Sequence, residues 1–286
     1  MNVLARCKKV LNDRFAELYP RSAIDEKGYV DNYYSNFHEL KGSIASRAVL
    51  NRIIHQFQSG DGGELKVQKD GRRKIEAIHS SAALAVNTFA PWLKEPETLS
   101  LAGISNFRSV EFEKKLPVTK SGMAANLDLM VSGFEGVVGV ESKFLEPLSK
   151  TTSKQPFSAA YSYFRDKPNC EVWYEQVNKI NNFPEKFLYL DAKQLTSHAL
   201  GLVGSFGGAP VKLMYLFWEP MNWVEIREYA KHRQEIEAFI MEVRGASVSL
   251  EAISYPELWA SWEREQKAPW IRKHLSKIRK RYLVEL

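Results

Sequence analysis

Cysteine is scarce in this chain: Cys7 and Cys170 are the only two in 286 residues, and no Cys-x-x-Cys spacing occurs. That argues against a disulfide framework and a zinc–thiolate centre, and a reducing, cytoplasmic setting is expected. There is no run of eighteen apolar residues, so no membrane span is expected. The segment Met1–Lys9 is broken by charge and lacks the apolar region of a signal peptide. The six histidines show no His-Glu-x-x-His or paired-ligand spacing, which speaks against a zinc hydrolase. Internal repeats, low-complexity tracts and a recognisable helix-turn-helix are also missing.

Charge is present in excess of one sign. Lys plus Arg number 40 against 34 Asp plus Glu, a formal net charge of +6. Arg272, Lys273, Lys277, Arg279, Lys280 and Arg281 fall within ten residues that contain no acid, and these six equal the whole surplus. Such a cluster suits a polyanion, with binding weakened by salt through counterion release. The plainer reading is a solvated basic helix.

Apolar spacing predicts helices over 3–18, about 36–58 (stripe Ile44, Val49, Ile53, Ile54, Phe57), 75–90, 155–165, 171–181, 187–203, 223–243 and 255–265, then a basic terminal helix. Between the second and third stands a breaker-rich loop, Ser59-Gly-Asp-Gly-Gly63. Strands are expected at 108–115, 127–132, 137–144, 211–218 and 247–253. The order gives an α/β fold with a mixed sheet covered by helices, 187–203 serving as a crossover. A division into a helical segment 1–58, a core 59–256 and a basic helical segment 257–286 follows from the same pattern.

Two neighbouring strands carry the chemistry. The first, Asn126-Leu-Asp-Leu-Met-Val-Ser132, places Asp128 between leucines, and after a Gly133-Phe-Glu-Gly136 turn the second ends in Glu141-Ser-Lys143. Alternation puts Glu141 and Lys143 on one face, and a hairpin would set Asp128 beside Glu141. Acids flanked by apolar residues on a half-buried strand need a partner or a metal. Acid-x-Lys also occurs at Asp25/Lys27, Glu39/Lys41, Glu64/Lys66, Glu113/Lys115, Asp191/Lys193 and Glu265/Lys267, so context alone singles this one out. Two carboxylates and a lysine make a metal site of the kind used in phosphodiester hydrolysis; the competing reading is a structural ion pair. Glu113 and Glu146 read as strand-end or surface acids.

These residues resemble the PD-(D/E)xK nucleases, whose core is a helix, a three-strand meander, a helix and a returning strand. Asp128 and Glu141-Ser-Lys143 match that motif, with Leu127 where proline is usual. More narrowly, Gly62-Gly-Glu-Leu65, His79-Ser-Ser-Ala-Ala-Leu-Ala-Val-Asn87, Asn126-Leu-Asp128, Glu141-Ser-Lys-Phe-Leu-Glu146, Asp191–Leu202 and Ser254-Tyr-Pro-Glu-Leu-Trp259 are similar to a bacterial restriction-endonuclease-like family. The resemblance implies a restriction-endonuclease-like fold and a metal-dependent DNA endonuclease serving restriction or defence. Asp128 and Glu141 would hold Mg²⁺, with Mn²⁺ as a substitute. Lys143 would orient a water, deprotonate it or neutralise the transition state; carboxylates without metal would instead keep it protonated. A further helix glutamate is expected at Glu64 rather than Glu76. Gln194 and His198, one helical turn apart, parallel a Gln-x-x-x-Tyr pair in some related nucleases, with His in place of Tyr. Double-stranded DNA is the expected partner and a homodimer the expected assembly. The alternatives are a non-catalytic DNA-binding module on the same scaffold and a stability-only ion-pair cluster.

Overall fold

The computed structural model describes residues 1–43, 47–60, 63–118, 124–150, 155–206, 210–265 and 268–286. Ile44 of the second predicted helix, and Asp61 and Gly62 of the breaker-rich loop, lie outside the described residues.

Strands β1 (Phe107–Pro117), β2 (Ala124–Gly133), β3 (Val137–Lys143), β4 (Val211–Phe217) and β5 (Ser249–Ser254) form one sheet in sequence order. β1, β2 and β3 make an antiparallel meander, while β4 and β5 each add in parallel. Parallel addition requires a crossover. Helices α4 (Glu171–Asn182) and α5 (Ala192–Ser205) supply the first, α6 (Arg227–Glu242) the second. The expected mixed α/β sheet is therefore present.

Alternation along the strands feeds two cores. Leu129, Val131, Val138, Val140, Met214 and Leu216 pack toward α1 (Val3–Leu18), α2 (Arg47–Ser59), α3 (Ser81–Phe89), α7 (Tyr255–Glu265) and α8 (Pro269–Tyr282). Leu127, Met130, Val137, Leu213, Tyr215 and Phe217 pack toward α4, α5 and α6. Gly139 allows α5 its close approach, for a Cβ there would lie 2.8 Å from Leu127 Cδ1 and 3.0 Å from Leu202 Cδ1.

Several helix boundaries differ from the sequence expectation. Of the helix expected from about residue 36, Arg47–Ser59 is helical among the described residues, while Tyr33–Asn36 and His38–Leu40 form 3₁₀ turns. Asn36 is buried instead, and its amide donates to the carbonyls of Ile75 and Ala77, both at 2.8 Å. The 75–90 helix starts at Ser81, capped by Ser80, whose hydroxyl accepts from the Ala83 amide at 3.2 Å. Lys74–Glu76 forms its own 3₁₀ turn, and 159–164 is likewise 3₁₀. The 187–203 helix starts at Ala192, with Asp191 as cap. Upstream, the amides of Leu188, Tyr189 and Leu190 donate to the Glu235 carboxylate of α6 at 3.0, 2.7 and 2.9 Å, which holds that stretch out of the helix.

The two ends of the chain join the first core. Cys7 and Leu11 of α1 and Leu275, Ile278 and Tyr282 of α8 belong to the same cluster as Val138 and Val140. Both cysteines are free and buried. Arg281 is 1% exposed, with its guanidinium 2.8 Å from Glu39 and 2.9 Å from the Asn36 carbonyl. Tyr19 donates to the other Glu39 oxygen at 2.7 Å. Among the described residues no helix is long and apolar enough to cross a membrane.

Because both charges of the Arg281–Glu39 pair are buried, removing one strands the other. Arg281→Ala is expected to lower stability by about 3–5 kcal/mol, measured by equilibrium denaturation, whereas Lys280→Ala on the exposed side of the same helix should leave it nearly unchanged.

Candidate active site

The register of the meander brings the acids together. β2 and β3 pair from Ser132↔Val137 to Leu129↔Val140, where the ladder ends. Continuing that register sets Asp128 opposite Glu141. The Asp128 carboxylate replaces the next ladder bond, accepting the Ser142 amide at 2.7 Å through Oδ2. On β1, Phe112↔Leu129 and Lys114↔Leu127 flank Asp128, so Glu113 stands across from it. Glu113 has φ +53°, unusual for a side-chain-bearing residue. The faces switch at this row: Val110 and Phe112 belong to one core and Leu116 to the other, just as Leu129 and Leu127 do. A local irregularity of this kind re-aims side chains beside a site.

Glu141 and Lys143 face α5. Glu141 is 1% exposed, and its Oε1 lies 2.5 Å from Lys143 Nζ. Lys143 Nζ also donates to Gln194 Oε1 at 2.7 Å. One turn along α5, His198 Nδ1 stands 3.2 Å from Glu141 Oε2. That distance suits a hydrogen bond but the angle does not, and both atoms are buried without any hydrogen-bond partner. The proximity is the firmer observation, since catalytic hydrogen bonds often align fully only in a ligated site. Ser142 points to the opposite face, where its hydroxyl and that of Tyr255 are 2.7 Å apart.

Electrostatics marks the spot as overloaded with negative charge. Burial, then the charge of Glu141, pushes the Asp128 carboxyl well above the ordinary range, outweighing Lys143 and the Ser142 amide. Burial lifts Glu141 to about 7 despite its lysine. Burial and Asp128 lift Glu113 to about 8, although Asn126 donates to it. Burial alone would lower the Lys143 ammonium, but Glu141, Asp128 and Glu146 outweigh it and keep the lysine charged. Burial, then Lys143, depresses His198 to about 3, so its imidazole is neutral.

The accessory residues divide. Glu64 is half-buried and raised, first by burial, with Lys74 at 3.7 Å and the charge of Glu146 also acting on it. It bears in turn on Glu113. Glu76 is committed elsewhere: its oxygens accept from the Arg73 amide at 2.8 Å and the Arg73 guanidinium at 2.9 Å. Glu64 is thus connected by charge to Glu113 and Glu146, while Glu76 is held by Arg73.

Glu113 is a correction to the sequence reading, being a buried mid-strand acid in the Asp128 row rather than a surface one. Glu146 is exposed, as expected, yet its charge reaches Asp128, Glu141 and Lys143. The signal that could have found Glu113 is the meander register counted back from Asp128.

The six C-terminal basic residues do not form a common solvated face. Arg272, Lys273 and Lys280 are exposed. Lys277 donates to the Lys41 carbonyl at 2.5 Å, Arg279 pairs with Glu263, and Arg281 is buried.

The donor set fits a hard divalent cation. Asp128 and Glu141 are neighbouring carboxylates in a site where charge is opposed by burial, and Glu141 Oε2 is a buried oxygen without a hydrogen-bond partner. Among the described residues no three His, Cys, Asp or Glu side chains form a ready-made metal cage. Mg²⁺ does not demand one, since it is commonly held by one or two carboxylates plus waters and substrate phosphate.

Residues 16–283 match the model of a protein family described as "Restriction Endonuclease associating with ARP". No curated protein and no solved structure gives a significant match.

Glu113 yields a pH signature. Its folded pKa, about 8, lies above the unfolded value near 4.5, so its contribution to stability is intact below pH 4.5 and is lost as pH rises through 8. In EDTA, Glu113→Gln should therefore melt above the wild type at pH 8.5 and lose that advantage at pH 5. A pH-independent difference in melting temperature would contradict the assignment.

Proposed function

The chain belongs to the family of restriction endonucleases described as associating with ARP, and on that premise we propose that it is a metal-dependent endonuclease that hydrolyses phosphodiester bonds in DNA. The observation that carries the reading is the convergence of Asp128, Glu141 and Lys143 at the end of β3, in surroundings that raise both carboxylates.

Asp128 and Glu141 would hold Mg²⁺, with Mn²⁺ able to replace it, and Glu64 would add a third carboxylate. When bound, the cation would supply charge stabilisation at a phosphate oxygen and make a water more acidic. The protein's own groups do the rest. Asp128 is fixed by the Ser142 amide, so its carboxylate orientation is set by the β3 backbone. In the metal-free site Glu141 and Asp128 keep Lys143 protonated, which suits neutralising charge that develops on the phosphate. Gln194 takes one of its N–H bonds and thereby limits where the ammonium can point.

The net charge of +6 supports a polyanionic substrate. Arg272, Lys273 and Lys280 are the C-terminal contributors left at the surface, so that helix supplies less binding charge than its composition suggests.

Purified protein should nick or linearise plasmid DNA with Mg²⁺ or Mn²⁺ and do nothing in EDTA. Asp128→Asn and Lys143→Met should each reduce the rate by about 10²-fold or more, with near-native circular dichroism and gel-shift affinity. Full activity in either folded variant would remove these residues from the mechanism. Salt-sensitive DNA binding without cleavage under any divalent metal would favour the non-catalytic binding module.

A further inference from the structure

Helix α5 touches both functional groups of the Glu-x-Lys pair. Gln194 meets the lysine, and His198 Nδ1 meets the carboxylate at 3.2 Å. His198 is 2% exposed and lies between Leu195 and Ala199, which belong to the second core. An apolar residue would fill this place without desolvating a polar ring. Instead, an imidazole nitrogen and a carboxylate oxygen face each other, each without another partner. Lys143 and Asp191 are the charged groups that act on the ring. With Lys143 at Oε1 and an N–H at Oε2, both carboxylate oxygens of Glu141 would be held. Such outer contacts commonly set the orientation and the affinity of metal-ligating carboxylates.

We propose that His198 is a positioning residue for Glu141: its Nδ1–H donates to Glu141 Oε2 and, with Lys143 on Oε1, locks the carboxylate in the orientation that receives the cation. The purpose of the lock rests on the metal-dependent reading above, while the hydrogen bond itself does not.

The test has two arms. Protein carrying ¹⁵N-labelled histidine, in EDTA, reports the tautomer by nuclear magnetic resonance. His198 should carry its proton on Nδ1, with slow exchange, and that signal should move in Glu141→Gln. An unprotonated Nδ1, or a signal indifferent to Glu141→Gln, overturns the proposal. The second arm is Mn²⁺ titration by calorimetry. His198→Phe should weaken binding about 10–100-fold. His198→Asn should restore most of it, because its amide nitrogen branches from Cγ as Nδ1 does. Equal Mn²⁺ affinity in the wild type and a folded His198→Phe would also overturn the lock. If the wild type itself takes up no Mn²⁺, the hydrolase reading fails, and the tautomer measurement still decides whether His198 holds Glu141.

Discussion

Everything at this site follows from burying Glu141. A carboxylate at 1% exposure has lost its water, and a single lysine at 2.5 Å does not fully compensate, as its raised pKa shows. Structures in which stability alone is at stake remove such a group or complete its hydrogen bonds. Here a second acid, Asp128, stands opposite, a third, Glu113, follows on β1, and Glu146 adds its charge from beyond the strand end. A structural ion pair would balance charge, whereas this cluster accumulates it around one lysine. The imbalance is what a divalent cation would relieve.

The sheet geometry that creates this imbalance is local. β2 and β3 run in register to Leu129 and Val140 and then separate, and the Asp128 side chain inserts where a backbone bond would have formed. β1 follows with Glu113 in left-handed conformation, and the strands exchange faces at that row. An uninterrupted ladder would bury Asp128 against α5 or turn it to the other core. The break leaves it in the middle of β2, where the β2–β3 ladder ends, half-buried and next to the Glu-x-Lys pair. The positive φ at Glu113 fits the general association of backbone strain with functional sites.

Much of this was legible in the sequence, because the strands declare themselves through β-branched runs and a short turn. The same pattern that identified β2 and β3 also set Asp128 against Glu141, since an antiparallel hairpin has few registers that keep its apolar face buried. Helix starts were less legible. Those at Ser81 and Ala192 depend on a capping serine and on Glu235, forty-odd positions away, drawing off three amides. Glu113 escaped for a related reason: its burial depends on a break in alternation that periodicity assumes away. The basic C-terminal run misled in the opposite direction. Composition marks charge but not partners, and Arg281 finds Glu39 some 242 positions earlier in the chain.

That long-range pair links the ends of the chain to the site. Arg281 also donates to the Asn36 carbonyl, and Asn36 in turn bonds Ile75 and Ala77, which follow the segment containing Glu64. Asn87 of α3 bonds both the Asn36 carbonyl and the Tyr282 hydroxyl, at 2.9 Å each. Asn87 Oδ1 and Arg281 Nε are buried without a hydrogen-bond partner, but the remaining bonds of the network tie α3 and α8 to the chain around Asn36. The N-terminal and C-terminal helices therefore act as a brace behind the first core, on the face opposite α5. Rigidity from that side, and the Gln194 and His198 contacts from the other, confine the end of β3 between two fixed layers. A pair of carboxylates kept this far from ordinary ionisation needs such confinement, because a loose strand end would let water in and relax the charge that the site is built to concentrate.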